Sequence, residues 1–205
     1  MKKFLAIIAA TVLFCSVETT AFAQGTTYTV VPGDSLWKIS VKYQTGTSEL
    51  IKANPQIKNP SMIFVGQKVN IPEAAPLQSY ETEVIRLINI ERTKRGLSAL
   101  TTNWQLSRVA RYKSQDMINK NYFSHTSPTY GSPFNMMENF GLKFSAAGEN
   151  IAYGQRTPQE VVTAWMNSPG HRANILSAAY TQTGVGAAKK ANGTLYWTQM
   201  FMKPY

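Results

Sequence analysis

The chain has 205 residues and a formal charge of +10, from 21 lysines and arginines against 11 aspartates and glutamates, and it spends only two histidines and one cysteine. A length of this order allows one or two domains, 43% apolar content excludes a disordered chain, and a lone cysteine excludes a disulfide framework. The basic residues are scattered through the chain and form no nucleic-acid motif, so the charge points to solubility or to anionic polymers in general and not to a specific nucleic acid.

The N-terminus carries the three regions of a secretory signal peptide over residues 1–23: Lys2-Lys3, an apolar run from Phe4 to Phe14, and Ala21-Phe22-Ala23. The apolar run is shorter than the roughly 20 residues that span a bilayer, so no transmembrane segment is expected in the mature chain. Cys15 falls within this leader, and the bulky Phe14 before it argues against lipid anchoring. The composition breaks once more at residues 73–79, a proline- and alanine-containing linker. It separates a short module, 27–72, from a longer domain, 80–205.

The short module opens with a β-branched run, Thr27 to Val31, and closes with another, Lys68 to Pro72. Between them the spacing predicts two helices. Pro32-Gly33 and a cap at Asp34 or Ser35 announce the first, with Leu36, Ile39, Ser40 and Tyr43 on one face. Thr47 or Ser48 caps the second, and Asn54-Pro55 ends it. On "YTVVPGDSLWKIS", "LIKANP" and "FVGQKVNIP" this β-α-α-β module resembles a LysM domain over its whole length. The resemblance implies binding of N-acetylglucosamine glycans, peptidoglycan or chitin-like. The groove would be lined by Gly33, Asp34, Ser35 and Leu36 on one side and by Asn54, Pro55, Ile57, Met62 and Ile63 on the other. Read by themselves, Gly33 and Asp34 are equally a turn glycine and a cap, and Leu36 and Trp37 are core or groove, with core the better default.

In the longer domain, Val84, Leu87 and Ile88 mark a helix that stops at Arg95-Gly96. Thr102 or Asn103 caps the next, whose buried stripe is Leu106, Val109, Ala110, Met117 and Ile118. An irregular segment containing His125 follows. Thr157-Pro158-Gln159-Glu160 is a capping box opening a third helix, which Ser168-Pro169-Gly170 ends, so His171 is expected on a stiff turn. Two strands, 184–189 and 194–202, join through Asn192-Gly193. These elements predict an α+β domain with a largely antiparallel sheet covered by helices.

"FSHTSP", "GENIAYG", "AWMNSPGHRANIL", "TQTGVGAA" and "YWTQMF", in that order, resemble the CAP superfamily of cysteine-rich secretory, antigen 5 and pathogenesis-related class 1 proteins, in its bacterial SCP-like branch. The resemblance implies a three-layer α-β-α sandwich with a cleft holding two histidines and two glutamates. Three carry over: His125, Glu149 and His171. The second glutamate does not, because Trp165-Met166-Asn167-Ser168 occupies its place, and neither Glu138 nor Glu160 matches it.

Imidazoles are neutral metal ligands, and a carboxylate on the other ring nitrogen fixes the tautomer. The spacing of His125 and His171 matches no metal-binding motif, and a lone histidine is more often a surface or satisfied interior residue. Their coincidence with the site positions of the resembled family is what implies that they share a divalent cation, zinc foremost, with Glu149 completing or orienting the set. Ser124 and Ser168 stand near the histidines, but the lack of a G-x-S-x-G elbow and of a suitably placed aspartate argues against a serine hydrolase. The expectation is a secreted protein of the bacterial cell wall or spore envelope, anchored to peptidoglycan. Its cleft is expected to bind a wall polymer, protein or lipid without catalysis, the alternative being a metal-assisted hydrolase.

Overall fold

The computed structural model describes residues 26–72 and 78–205. The expected leader with Cys15, and linker residues 73–77, lie outside the described residues.

In the short module, strand β1 (Thr27–Thr29) pairs antiparallel with β2 (Lys68–Asn70). Helices α1 (Leu36–Lys42) and α2 (Thr47–Lys52) pack on this pair around Val30, Leu36, Ile39, Leu50, Ile57, Val69 and Ile71. Ser35 caps α1 through the Lys38 amide, as its sequence context predicts. The cap of α2 is Gly46, one residue before the expected threonine, and it gives no side-chain cap bond. Thr47 instead bonds Ser40 at 2.9 Å, tying the two helices together.

The longer domain runs α3 (Gln78–Thr93), β3 (Thr101–Thr102), α4 (Trp104–Asn119), α5 (Pro133–Asn139) and β4 (Ala146–Tyr153). Then come α6 (Pro158–Asn167), α7 (Pro169–Ile175), β5 (Gln182–Lys189) and β6 (Leu195–Lys203). The sheet order is β3-β5-β6-β4, antiparallel except for β3 beside β5. One face packs on α3 and α6 through Val84, Ile88, Val161, Trp165, Val185, Trp197 and Phe201. The other meets α4 and α5 through Leu106, Val109, Ala110, Met136, Met137 and Met200. Strand alternation sends Val185 and Ala187 to the first face and Gly184 and Gly186 to the second. At both glycines an added Cβ would overlap the backbone of α4, which explains the Gly-Val-Gly run. The close approach also lets Ser114 of α4 bond Gly186 O and Thr198 Oγ1, at 2.9 Å each.

Two regions depart from expectation. The irregular segment contains α5 and the full strand β4, concealed because "AAGENIAY" carries Glu149 and Asn150, both buried, in mid-strand. Pro169-Gly170 does not merely end a helix: proline at the first helical position opens α7, and His171 sits in its first turn.

The two modules touch through a polar joint. Arg108 of α4 donates to both carboxylate oxygens of Glu49, at 3.0 Å each, and to Ser48 Oγ at 2.9 Å. Its guanidinium lies 5.2 Å from the ring centroids of both Tyr112 and Phe140. Gly46 lies so close that a Cβ there would overlap the Arg108 guanidinium.

Candidate functional site

The polar centre of the larger domain sits at the β4 edge of the sheet. Glu149 Oε1 accepts from His125 Nδ1 at 2.7 Å. An ionised carboxylate only accepts, so Nδ1 donates in this bond, and among the described residues Nε2 makes no hydrogen bond. The His125 side chain is 54% exposed and that of Glu149 only 1%, so a buried acid aims an accessible imidazole.

The loop bearing His125 is fastened from beneath. Asp116 of α4 accepts from Tyr122 Oη at 2.7 Å and from Ser127 Oγ and Thr129 Oγ1 at 2.6 Å. Burial would raise the Asp116 pKa, but these three donors outweigh it and hold the carboxyl below its usual range. Lys113, fully buried, donates its Nζ to His125 O and stands 3.9 Å from Glu149 Oε2, an oxygen with no hydrogen bond of its own. Burial pushes the Lys113 pKa down, while Glu149 and Asp116 pull it back up.

His171 approaches from α7 on the other side of the strand. Asn150 Nδ2 donates to His171 O at 3.2 Å, and Asn174 Nδ2 donates to Glu149 O at 3.2 Å and to Asn150 Oδ1 at 2.9 Å. Burial lowers the His171 pKa, and the neighbouring His125 lowers it further, so the two imidazoles sense one another. The carbonyls of Ala147, Glu149 and Ile151 are covered by Tyr180 Oη, Asn174 Nδ2 and Trp165 Nε1. Those covered groups are closed to an added strand.

Lys113, Asn150 and Asn174 were not singled out by sequence reasoning. A lysine among the buried positions of α4 was the available signal, since a lysine is almost never fully buried unless paired. Glu160 lies in the capping box, accepting from Arg156 N at 2.9 Å, and Glu138 is exposed on α5. Asn167 and Ser168 close α6, so no carboxylate stands at the fourth position.

Among the described residues no group of three or more His, Cys, Asp or Glu side chains is arranged to hold a metal ion. Glu149 is occupied with Nδ1 of His125, which leaves two imidazoles as donors. That is one protein ligand short of a catalytic zinc site.

In the short module the expected groove residues divide by burial. Leu36, Asn54 and Ile57 are interior. Asn54 fastens the chain by donating to Leu50 O at 2.7 Å and Asn70 O at 2.8 Å and accepting from Asn70 N at 2.8 Å. Asp34 accepts from Val31 N and Tyr28 Oη, donors that hold its carboxyl below its usual range. Ser35 is the α1 cap, and Ile63 packs against the core. Gly33, in the left-handed region at φ 85°, Pro55 and Met62 are exposed. Beside them Val31, Phe64 and Val65 expose large apolar side chains that sequence reasoning did not assign to a ligand. Trp37, for which core is the default, is exposed as well because it lies on the outer face of α1, between the inward Leu36 and Ile39.

Residues 85–201 match the CAP family, described as the cysteine-rich secretory protein family. The chain belongs to this family. Residues 28–72 match the LysM domain, so a LysM module precedes the CAP domain. The protein YkwD of Bacillus subtilis is 53% identical over 138 residues, covering 66% of this chain and 52% of its own length. An extracellular SCP-domain protein from Bacillus anthracis superposes with a TM-score of 0.58 at 33% identity, over 67% of this chain and 47% of that one. The chain thus spans about half the length of these CAP relatives. The endolysin of Bacillus phage B103 is 47% identical over 45 residues, covering 22% of this chain and 17% of its own length. No described helix is long and apolar enough to cross a membrane.

Proposed function

We propose that this is a secreted, non-enzymatic binding protein of the bacterial wall or spore envelope. Its LysM module holds N-acetylglucosamine glycan, with peptidoglycan the partner, and its CAP cleft binds a wall polymer, protein or lipid around His125. The observation carrying this reading is the engagement of Glu149. One oxygen is bound to His125 and the other is buried facing Lys113. A general base must reach the proton it takes, and neither oxygen is free to meet a substrate water. That speaks against the metal-assisted hydrolase.

His125 and His171 are the residues that would hold a divalent ion, zinc first, and a bound ion would supply a positive charge in the cleft. With two protein donors it would bind weakly, and the proposed binding does not depend on it. The basic surface adds non-specific attraction to anionic wall polymers.

Co-sedimentation of the chain with purified insoluble peptidoglycan tests the anchor, and retention in the pellet is expected. Digestion of wall or peptide substrates by the zinc-loaded chain, abolished by Glu149→Gln with the metal still bound, would overturn the non-enzymatic reading. Calorimetry with zinc tests the ion: weak heat in the parent chain, and none in His125→Ala with His171→Ala.

A further inference from the structure

The sheet face that carries Glu149 continues into a row of half-exposed aromatic rings. Along β4, alternation puts Glu149, Ile151 and Tyr153 on one face, and Tyr196 stands opposite Tyr153 in register on β6. Ile151 is buried between them. The Tyr153 and Tyr196 rings lie nearly parallel, at 22° with centroids 5.5 Å apart. Phe123, two residues before His125, meets Tyr153 edge-on with centroids 4.7 Å apart. Phe123 is 45% exposed and Tyr153 52%, whereas Trp197 and Phe201 of the same sheet are fully buried. The row begins at the polar pair and ends about 13 Å along the strand from Glu149, at roughly 3.3 Å per residue.

We infer that Phe123, Tyr153 and Tyr196 form a stacking ledge for a pyranose glycan, so that the CAP domain binds the same N-acetylglucosamine class of chain as the LysM module. The inference rests on the cleft being a binding site. A pyranose has an apolar C–H face and a polar rim, which matches aromatic rings flanked by hydroxyls and by a free imidazole nitrogen. The rings hold one another in place, so little side-chain freedom is lost on binding. An acyl chain would favour an enclosed apolar cavity over a ledge bearing two phenolic hydroxyls, and the uncharged rings offer nothing to an anionic polymer. The ledge also lies on the domain that Arg108 joins to the LysM module, so both would meet glycan on one chain.

The test is calorimetric titration of the full chain with a soluble N-acetylglucosamine oligomer, run on the parent, Tyr153→Ala, Phe123→Ala, and Met62→Asp in the LysM loop. All three positions are exposed, and thermal melts check that each variant folds. The parent should bind at two sites. Met62→Asp should keep only the ledge event, and Tyr153→Ala only the LysM event. Phe123→Ala should weaken the ledge event roughly three- to tenfold. One binding event, removed by Met62→Asp and untouched by Tyr153→Ala, would overturn the ledge while leaving the LysM anchor standing. Loss of all binding in the parent would overturn the anchor as well. Phosphatidylglycerol vesicles captured by the parent and not by Tyr153→Ala, with no second glycan event, would make the ledge a lipid surface and also overturn the inference.

Discussion

The two modules place polar and apolar side chains in opposite ways. The LysM module has one small core and fastens its loops with a buried amide, Asn54, while Trp37, Met62, Phe64 and Val65 are left facing solvent. The CAP domain buries most of its large apolar residues in two clusters, leaving out aromatic rings such as Phe123, Phe134 and Tyr153, and sinks charge among them: Glu81, Arg92, Lys113, Asp116 and Glu149. A shallow ligand face tolerates exposed hydrocarbon, and a module this small has little interior to hide it in. A site that must aim one imidazole needs rigid polar supports, and these are stable only inside a larger fold.

The sharpest way to break this contrast is Lys113→Met. It leaves Glu149 buried without a neighbouring cation and frees the His125 carbonyl. A loss of about 3–5 kcal/mol is expected in denaturant unfolding of the CAP domain. Next comes Asn54→Ala in the LysM module, which orphans the buried carbonyl of Leu50 and part-buried backbone groups of Asn70. It should cost about 2–3 kcal/mol, read from hydrogen exchange of β1 and β2.

The joint between the modules ranks third. Burial raises the Glu49 pKa, but the Arg108 and Ser48 hydrogen bonds prevail and draw it down to about 2 from 4.5. A depressed carboxyl stabilises the joint above its free value, so the contact should be intact above about pH 4.5 and fade as pH falls towards 2. Arg108→Ala should abolish that pH dependence in small-angle scattering and cost about 1 kcal/mol, since Glu49 is a third exposed. Smallest in stability is Phe64→Ser, an exposed change expected to stay within about 0.5 kcal/mol of the parent. Its effect should appear instead as weaker retention on peptidoglycan, which separates binding surface from core.

Most of the architecture was legible where periodicity and caps agree: α1, α3, α4, α6 and the Asn192-Gly193 hairpin. β4 was not, because the residues that build the site interrupt its apolar alternation. His125, Glu149 and His171 could be named from motif resemblance. Their supports were not named: Lys113 stands in the buried stripe of α4, where its spacing was the one available signal, while nothing local marks Asn150 and Asn174. The α2 cap was misplaced because Gly46 offers no capping side chain to read, while Thr47, the better sequence candidate, is engaged with Ser40.

The Arg108–Glu49 pairing constrains how such a protein can be recombined. A carbohydrate module borrowed from another lineage would have to bring an acid where Glu49 stands, or be held by its tether alone. Shuffling here is thus a matched inheritance of both halves of the seam.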